Sequence, residues 1–281
     1  MVSFQASLFI ISFILVTCNN SADEVVFYQN YYQISGGDRL TVFDQGKEVQ
    51  LSIDQYSGSG FMSNHDFGSG DFRIKLKLPN KNTSGVITTF YLMSQSPNES
   101  PSLPHDEVDF EFLGGEGKYT LNTNVFANDG GHREQRFDLW FDPTTDFHTY
   151  GVLWNQYHIV LSVDDVPIRV FKNNTNHGVN YPSKYMHVQA TMWNDTQWVG
   201  EVDWSQGPFT AHYREFSING CQYQDLSNLQ DCNNDSYYWN TVNYMKLSPE
   251  QQELYEDVRG KHMTYNYCAL NNKNFPECLL I

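Results

Sequence analysis

The sequence predicts an all-β protein built as a sandwich of two sheets. From Val25 to about Ser217 the chain consists of short apolar segments separated by turn residues at regular spacing, which is typical of sandwich strands. Several segments alternate apolar and polar residues, as a strand with one buried face requires. With 281 residues and no internal repeat or linker, the chain is long enough for one large β domain with a substantial core.

The predicted elements follow one another along the chain. Strands are predicted over 49–53, 72–78, 85–92, 105–114, 151–154 and 158–163, among others. The pattern then changes, because Ser248, Pro249 and Gln251 are the residue types expected at the cap and first turn of a helix. An apolar stripe that includes Val258 predicts that this helix packs on the sandwich.

The N-terminal segment is predicted to be a signal peptide. Residues 8–16 form an apolar run that is short for a membrane span and is followed by small and polar residues. We expect cleavage after Cys18 or Ala22; the alternative is an uncleaved anchor. The predicted organisation is a signal peptide over 1–22, the main β domain over 23–217 and a C-terminal extension over 218–281.

The cysteines fit an oxidising compartment. Beyond the predicted leader they lie in the last quarter of the chain, at Cys221, Cys232, Cys268 and Cys278. Three pairings are possible, and the lower entropy cost of closing short loops favours Cys221 with Cys232 and Cys268 with Cys278. Zinc binding is a poorer interpretation, because neither pair has Cys-x-x-Cys spacing.

The composition excludes some partners. A formal charge of −16 would repel the phosphates of a nucleic acid. A neutral polysaccharide is compatible with an acidic protein, since sugar rings stack on aromatic side chains, and these make up 15% of the chain. We expect neither a cofactor nor a metal ion.

Segment 105–114, His-Asp-Glu-Val-Asp-Phe-Glu-Phe-Leu-Gly, is the candidate for chemistry. Acids alternate with apolar residues, so a strand would present Glu107, Asp109 and Glu111 on one face and bury the apolar residues beneath them. Three carboxyl groups without a cation between them repel one another. This repulsion costs stability, which indicates a chemical purpose.

Two carboxyl groups that flank one bond act as nucleophile and acid/base in glycoside cleavage, and their repulsion keeps one protonated near neutral pH. Glu107 and Glu111 are the candidates. Four strand steps put their Cα atoms roughly 13 Å apart, and inward-leaning side chains would close most of the gap to the about 5–5.5 Å of a retaining mechanism. Asp109 between them would hydrogen-bond Glu107 and shift its ionisation. The spacing leaves open which glutamate attacks and which protonates.

Two other interpretations of the acidic face remain open. It could be a solvated strand without chemistry, or a site for a hard cation built from the same oxygens. His105 is predicted to be a structural or supporting residue rather than a metal ligand, because no second cluster of His or Cys lies nearby.

Segment 105–114 resembles the motif of the plant xyloglucan endotransglucosylase/hydrolases, a branch of glycoside hydrolase family 16. Further segments similar to that family follow in the same order, over 57–61, 123–126, 133–135, 139–150, 163–169 and 265–268. The resemblance implies a jelly-roll β-sandwich with a concave substrate cleft as the catalytic domain, followed by a short helical extension stapled by disulfides. It implies the same disulfide pairing that loop closure favours.

The resemblance also implies roles for individual residues. In a retaining mechanism, Glu107 would be the nucleophile, Asp109 its helper and Glu111 the acid/base. Sugar contacts are implied for Glu111, Asn122, Thr123, Asn124, His132, Arg133, Glu134, Gln135, Trp193, Gln197, Trp198 and Gly200. The alternative for each contact residue is an ordinary polar or core role.

We therefore predict a secreted, monomeric enzyme of the cell wall and apoplast, without a membrane anchor or a nucleic-acid partner. It would cleave the β-1,4-glucan backbone of a xyloglucan donor and transfer the glycosyl part to a xyloglucan acceptor. The alternatives are hydrolysis by the same residues and a non-catalytic jelly roll that binds β-glucan. Candidate N-glycosylation sites are Asn82, Asn98, Asn173, Asn194 and Asn234.

Overall fold

The computed structural model describes residues 25–95, 99, 103–223, 229–271 and 274–280. The predicted signal peptide and Asn98 lie outside these residues. The strands are β1 (Tyr31–Ser35), β2 (Leu40–Phe43), β3 (Glu48–Ile53), β4 (Ser59–Ser63), β5 (Phe67–Lys77), β6 (Val86–Met93), β7 (His105–Gly114), β8 (Tyr119–Asp129), β9 (Gln135–Asp138), β10 (His148–Trp154), β11 (His158–Val163), β12 (Val166–Lys172), β13 (His187–Asn194), β14 (Phe209–Gln222) and β15 (Met263–Asn266). The helices are α1 (Phe27–Asn30), α2 (Pro249–His262) and α3 (Tyr267–Asn271).

The strands form two antiparallel sheets, which confirms the predicted sandwich. The first sheet has the order β1-β4-β13-β6-β7-β8-β9-β15, and the second has the order β12-β11-β10-β5-β14-β3-β2. Strands far apart in the chain lie side by side, such as β13 between β4 and β6. As a result β7, the segment with the three acids, lies inside the first sheet with neighbours on both sides.

The hydrophobic core between the sheets fixes the position of β7. Phe110 and Phe112 are fully buried and contact the ring of Tyr150 on β10 edge-on, with ring centroids 5.7 and 4.7 Å apart. Burying one such side chain stabilises the fold by about 1.5–3 kcal/mol. Because alternate residues of β7 are anchored in this way, the acids between them are held on the opposite face.

The C-terminal extension joins the first sheet at its β9 edge through β15. The helix α2 begins where the sequence predicts: the Ser248 hydroxyl accepts a hydrogen bond from the Gln251 amide, and the Gln251 side chain accepts one from the Ser248 amide. Val258 of α2 is buried in the core. In the described part of the chain, no helix is both long enough and apolar enough to cross a membrane.

Both predicted disulfides are present, linking Cys221 to Cys232 and Cys268 to Cys278. The first closes a loop that follows β14, and the second closes the loop after α3. Strand β14 continues past residue 217 to Gln222, and the division between the main domain and the extension stays a prediction.

Candidate active site

The three acids share the outer face of the first sheet. Across β7 and its neighbours, Glu107 is opposite Met93 and Phe126, Asp109 is opposite Tyr91 and Asn124, and Glu111 is opposite Thr89 and Asn122. Directly paired residues of neighbouring strands lie on the same face. The predicted alternation is confirmed, since the intervening Val108, Phe110 and Phe112 are fully buried.

A cavity of about 570 Å³ opens over this face. Its lining contains all three acids together with the aromatic side chains of Tyr91, Phe126 and Trp193. Carboxyl groups and aromatic rings in one cavity suit a polar, ring-shaped ligand such as a sugar.

Glu107 is held by a histidine on its own strand. Nε2 of His105 lies 2.7 Å from Oε2 of Glu107, and Nδ1 of His105 donates to the backbone oxygen of Leu103 at 2.7 Å. This hydrogen bond with Glu107, reinforced by the negative charge of the carboxylate, raises the pKa of His105. The prediction that His105 supports the site rather than ligating a metal fits this arrangement.

Asp109 is almost completely buried between the two glutamates, with 3% of its surface exposed. Burial raises its pKa well above the usual range, and the charges of Glu107 and Glu111 raise it further. A protonated Asp109 is a hydrogen-bond donor, and it lies within hydrogen-bonding reach of Glu107. This position and the raised pKa fit the helper role predicted from the spacing, because both favour a proton on Asp109.

Glu111 occupies a different environment from Glu107. Its Oε2 accepts a hydrogen bond of 2.7 Å from the side-chain amide of Asn122. Burial raises the pKa of Glu111 to about 7. The hydrogen bond from Asn122 lowers this pKa, and the negative charge of Glu107 raises it. A carboxyl group with this pKa exists in both protonation states near neutrality, as a general acid that later acts as a base requires.

The contacts of Glu111 continue towards the C-terminal extension. Nε of Arg136 on β9 donates to Oδ1 of Asn122 at 3.4 Å, and its guanidinium lies over the ring of Tyr265 on β15, 5.2 Å from the ring centroid. The positive charge of Arg136 acts on Glu111. Sequence reasoning missed Arg136 and Tyr265, because only the pairing of β8, β9 and β15 brings them to the site.

Two predicted sugar contacts lie on the wrong face, and the prediction is corrected for them. Thr123 is fully buried opposite Phe110, and its hydroxyl donates to the backbone oxygen of Gln135. Arg133 is 5% exposed, and its guanidinium binds Asp129 and Glu277. Neither side chain lines the cavity: Thr123 alternates with Asn122 along β8 and faces the interior, and Arg133 is engaged by the two carboxylates.

Gln135 also contacts the extension rather than the cavity. Its side-chain oxygen accepts from Arg259 of α2 at 3.0 Å, and its amide donates to Asn266 of β15 at 3.3 Å. It is 7% exposed. The structure therefore corrects the sugar contact predicted for Gln135 and makes this residue part of the junction between the sheet and the extension.

Three further predicted contacts on β8 and in the segment between β8 and β9 differ in position. Asn124 is opposite Asp109, and its Oδ1 accepts the backbone N–H groups of Val125 and Arg133. Glu134 acts on Glu111 through its negative charge. His132 is exposed in the turn between β8 and β9, with a left-handed φ of 63°. These three stay candidates for sugar contact.

An exposed indole, that of Trp193, borders the cavity at the Glu111 end, and a second indole lies beside it. Trp193 is opposite Ile87, two residues along β6 from the partner of Glu111, and lines the cavity. Its ring centroid is 6.3 Å from that of Trp198, and the two side chains are 37% and 39% exposed. Their exposure leaves both rings available to stack on a ligand, and this role stays a prediction.

The turn after β13 contains the other two predicted contacts. Oδ1 of Asp195 accepts the backbone N–H groups of Gln197 and Trp198, and Gln197 is exposed. Gly200 has a left-handed φ of 101° and packs its backbone against Gly85. Gln197 and Gly200 do not line the cavity, and a role for them in ligand binding stays a prediction.

Tyr91 is a site residue that the sequence did not reveal. It lies beside Asp109 in the cavity, and its hydroxyl donates to the side chain of Gln189 on β13 at 3.0 Å. Burial and the charges of Glu107 and Asp109 raise its pKa, so it stays a neutral donor. Its strand was predicted, but nothing in the local pattern distinguishes Tyr91 from a core residue.

The candidate glycosylation sites within the described residues differ in exposure. Asn194 and Asn234 are exposed, whereas Asn82 and Asn173 are half-buried. Asn194 pairs with the buried Val86, on the face opposite to Trp193, so a glycan there would project away from the cavity. Occupancy stays a prediction. Within the described ranges, no three His, Cys, Asp or Glu side chains are grouped as metal ligands.

Sequence comparisons identify similar proteins over most of the chain. Residues 27–215 match glycosyl hydrolases family 16. Residues 233–278 match the xyloglucan endo-transglycosylase (XET) C-terminus. Xyloglucan endotransglucosylase/hydrolase protein 2 of Arabidopsis thaliana is 48% identical over 268 residues, which are 92% of this chain and 90% of the relative. Xyloglucan endotransglucosylase protein 2 of Diospyros kaki is 39% identical over 90% of this chain and 86% of the relative.

Structural comparison identifies similar folds. A Bacillus licheniformis β-glucanase matches with a TM-score of 0.56 and 22% identity, over 73% of this chain and 95% of the bacterial one. A Crh5 transglycosylase matches with a TM-score of 0.55 and 21% identity, over 69% of this chain and 79% of the other. At these identities the likeness concerns the fold alone.

Proposed function

The chain belongs to glycosyl hydrolase family 16 and, within it, to the xyloglucan endotransglucosylase/hydrolases, and on this premise we propose that it cleaves the β-1,4-glucan backbone of xyloglucan and transfers the glycosyl part to a second xyloglucan chain. Glu107 is the nucleophile, Glu111 the acid/base, and Asp109 the residue that positions Glu107. The protein acts outside the cell, in the wall and apoplast, as a monomer.

The observation that carries this proposal is the difference between the two glutamates on β7. Glu107 is held by the imidazole of His105, whereas Glu111 is buried against Asn122 and has a pKa of about 7. A nucleophile must be ionised, and a general acid must hold a proton at the pH of reaction. The two environments therefore support Glu107 as the nucleophile and Glu111 as the acid/base.

In the first step, Glu107 attacks the anomeric carbon of a backbone glucose. The bond from that carbon to the bridging oxygen breaks, and Glu111 gives its proton to the leaving oxygen. Asp109, protonated and buried, donates a hydrogen bond to Glu107 and holds it in line with the reacting carbon. The product is a glycosyl ester on Glu107 and a released chain with a new hydroxyl end.

In the second step, Glu111 acts as a base. It removes the proton of an acceptor hydroxyl, which attacks the anomeric carbon while the ester bond to Glu107 breaks. A sugar hydroxyl as acceptor gives transfer, and water gives hydrolysis. Transfer is favoured when a sugar chain occupies the Glu111 end, where Trp193 and Trp198 offer stacking surfaces and Arg136 offers a donor.

The proposal is tested by incubating the mature protein with xyloglucan and a fluorescently labelled xyloglucan oligosaccharide. Label in the polymer fraction and new reducing ends are measured together. We expect label to enter the polymer without a matching rise in reducing ends. A rise in reducing ends alone would make the protein a hydrolase, and the absence of both would exclude xyloglucan as its substrate.

A variant separates the enzyme from a β-glucan-binding jelly roll. Glu111→Gln keeps the shape of the side chain and removes its proton transfer. We expect this variant to bind xyloglucan in affinity electrophoresis as the wild type does and to lose label transfer. A binding protein would show no transfer in the wild type and would be unchanged by the substitution.

A further inference from the structure

His105 is placed to act on the nucleophile rather than only to fill space. The residue begins β7 and is 5% exposed. Its ring stacks on Phe126 of β8, with centroids 4.9 Å apart and planes at 22°. This stacking, together with the hydrogen bond from Nδ1 to the Leu103 oxygen, fixes the ring so that Nε2 points at Glu107.

Both ring nitrogens of His105 face oxygen acceptors. The Leu103 carbonyl can only accept, so Nδ1 carries a proton. A neutral imidazole has no second proton, and its bare Nε2 would meet a carboxylate oxygen at 2.7 Å. The contact with Glu107 therefore requires one proton between Nε2 and Oε2, and an ionised Glu107 requires it on His105.

The charged groups around the ring support the imidazolium form. On β7 itself, the carboxylates of Glu107 and Asp106 both favour the positive charge. On β8, Asp129 is paired with His105 in register, and its own charge is balanced by Arg133. Before β13, the amine of Lys184 donates to the backbone oxygen of Pro104, the residue next to His105 in the chain.

We propose that His105, as an imidazolium, is the positioning residue that selects which oxygen of Glu107 attacks. Its N–H binds Oε2 and leaves Oε1 free to form the bond to the anomeric carbon. This inference rests on the proposed retaining mechanism and adds a fourth residue to the three acids.

The hydrogen bond persists through both steps. When Oε1 bonds to the anomeric carbon and the bond to the leaving oxygen breaks, the proton of Glu111 goes to that oxygen, and Oε2 becomes the carbonyl oxygen of the ester. In the second step the electron pair of the ester bond returns to Glu107, and the proton of the acceptor goes to Glu111. His105 keeps its proton throughout and donates to Oε2 in each state.

Two substitutions separate positioning from packing. His105→Phe keeps a ring to stack on Phe126 and loses both N–H groups. His105→Gln loses the ring, but its amide can donate to Glu107 and does not titrate. As a matched control, His158→Phe replaces another buried histidine, which lies on β11 in the second sheet.

The rate of glycosyl-enzyme formation is measured in a single turnover with an aryl glycoside of a xyloglucan oligosaccharide. A good aryl leaving group needs no proton from Glu111, so this rate reports on Glu107. We expect His105→Phe to slow it about 30-fold with KM within about threefold, as the loss of one hydrogen bond to a charged group predicts. We expect His105→Gln and His158→Phe to stay within about fivefold of the wild type.

The pH profile gives a second readout. The wild-type rate should fall as the pH rises through the pKa of His105, and the fall should be absent in His105→Gln, whose amide does not titrate. Equal losses in the Gln and Phe variants, an unaffected Phe variant, or the same alkaline fall in the Gln variant would overturn the inference. If wild-type protein forms no glycosyl-enzyme, the proposed function fails first, and that outcome is separate from the three above.

Discussion

Two groups of charged side chains lie at or beside the first sheet. One consists of like charges, and the other pairs a cation with two carboxylates. On β7, Glu107, Asp109 and Glu111 face one another, and the pKa values of the last two are raised. Between β8 and β9, Arg133 binds the carboxylate of Asp129 at the end of β8 and that of Glu277 in the C-terminal extension, at 2.8 and 2.6 Å. Like charges held together at a cost to stability indicate chemistry, whereas a matched set indicates structure.

This contrast explains why neighbouring residues have different roles. Asn122 and Thr123 are adjacent on β8, but Asn122 contacts Glu111 on the outer face and Thr123 contacts Arg169 on the inner face. Arg169 is fully buried and also donates to the backbone oxygen of Arg133. The inner face of β8 therefore belongs to a network that secures the C-terminal extension through Glu277.

The largest effect is expected at the nucleophile. Glu107→Ala removes the group that forms the covalent bond, and turnover should fall by at least about 10⁴-fold, as for other lost nucleophiles. Added azide should restore cleavage of an activated aryl glycoside by attacking from the same side, giving a glycosyl azide of inverted configuration. Retained turnover in this variant, with no azide dependence, would contradict the role of Glu107.

A substitution of Arg133, which pairs with Asp129 and Glu277, should lower stability and leave the catalytic rate unchanged. Arg133→Met removes the cation that Asp129 and the buried Glu277 share, and the free energy of unfolding should fall by about 3 kcal/mol, measured by denaturant unfolding. The matched control is Arg39→Met, which breaks a solvent-screened pair with Asp54 and should change the free energy of unfolding much less. The kcat of folded Arg133→Met protein should match the wild type, and a large loss in kcat would instead make Arg133 part of the site.

Glu111→Gln should raise stability while it removes activity. The folded-state pKa of about 7 lies above the ordinary value of 4.5, so the unfolded chain ionises first and stability falls as the pH rises through this range. Glutamine does not ionise, and at pH 8 the variant should be more stable by about 3 kcal/mol, the cost of ionising the buried carboxyl. Thermal unfolding at pH 5 and pH 8 measures this, with the gain expected only at pH 8. A gain of equal size at both values would show that ionisation is not its cause.

The smallest effect is expected at Asn122. Its hydrogen bond to Glu111 lowers the pKa of that carboxyl, so Asn122→Ala should move the alkaline limb of the pH–rate profile to higher pH and reduce kcat/KM about tenfold. Thr123→Val is the control on the same strand, and its KM for xyloglucan should stay unchanged because its side chain faces the interior. A shift of the alkaline limb to lower pH in Asn122→Ala would contradict the contact.

Local patterns in the sequence account for the features that they predicted correctly. Alternation along 105–114 gave the two faces of β7, short loop closure gave both disulfides, and a capping box gave the start of α2. Each depends on residues within about a dozen positions of one another. The resemblance to a family then supplied the roles of the acids, which the spacing alone had left open.

The remaining features depend on distant pairings that local patterns do not contain. Arg133 and Glu277 are 144 positions apart. The residues around Arg133 in the sequence therefore do not indicate that its partner is a carboxylate of the extension. Arg136 and Tyr265 meet only because β15 pairs with β9. Thr123 is the exception, because the alternation of a strand is a local pattern. It places Thr123 on the face opposite to Asn122 and Asn124 and so argues against a sugar contact for Thr123.

The most direct test of the central claim is to trap the covalent intermediate. The protein is incubated with an activated xyloglucan oligosaccharide glycoside that is fluorinated beside the anomeric carbon, which slows the second step so that the ester accumulates. Peptide mass mapping then locates the sugar. The retaining mechanism on β7 predicts one added oligosaccharide on Glu107; a sugar on Glu111, or a turnover-competent protein that never carries one, would contradict it.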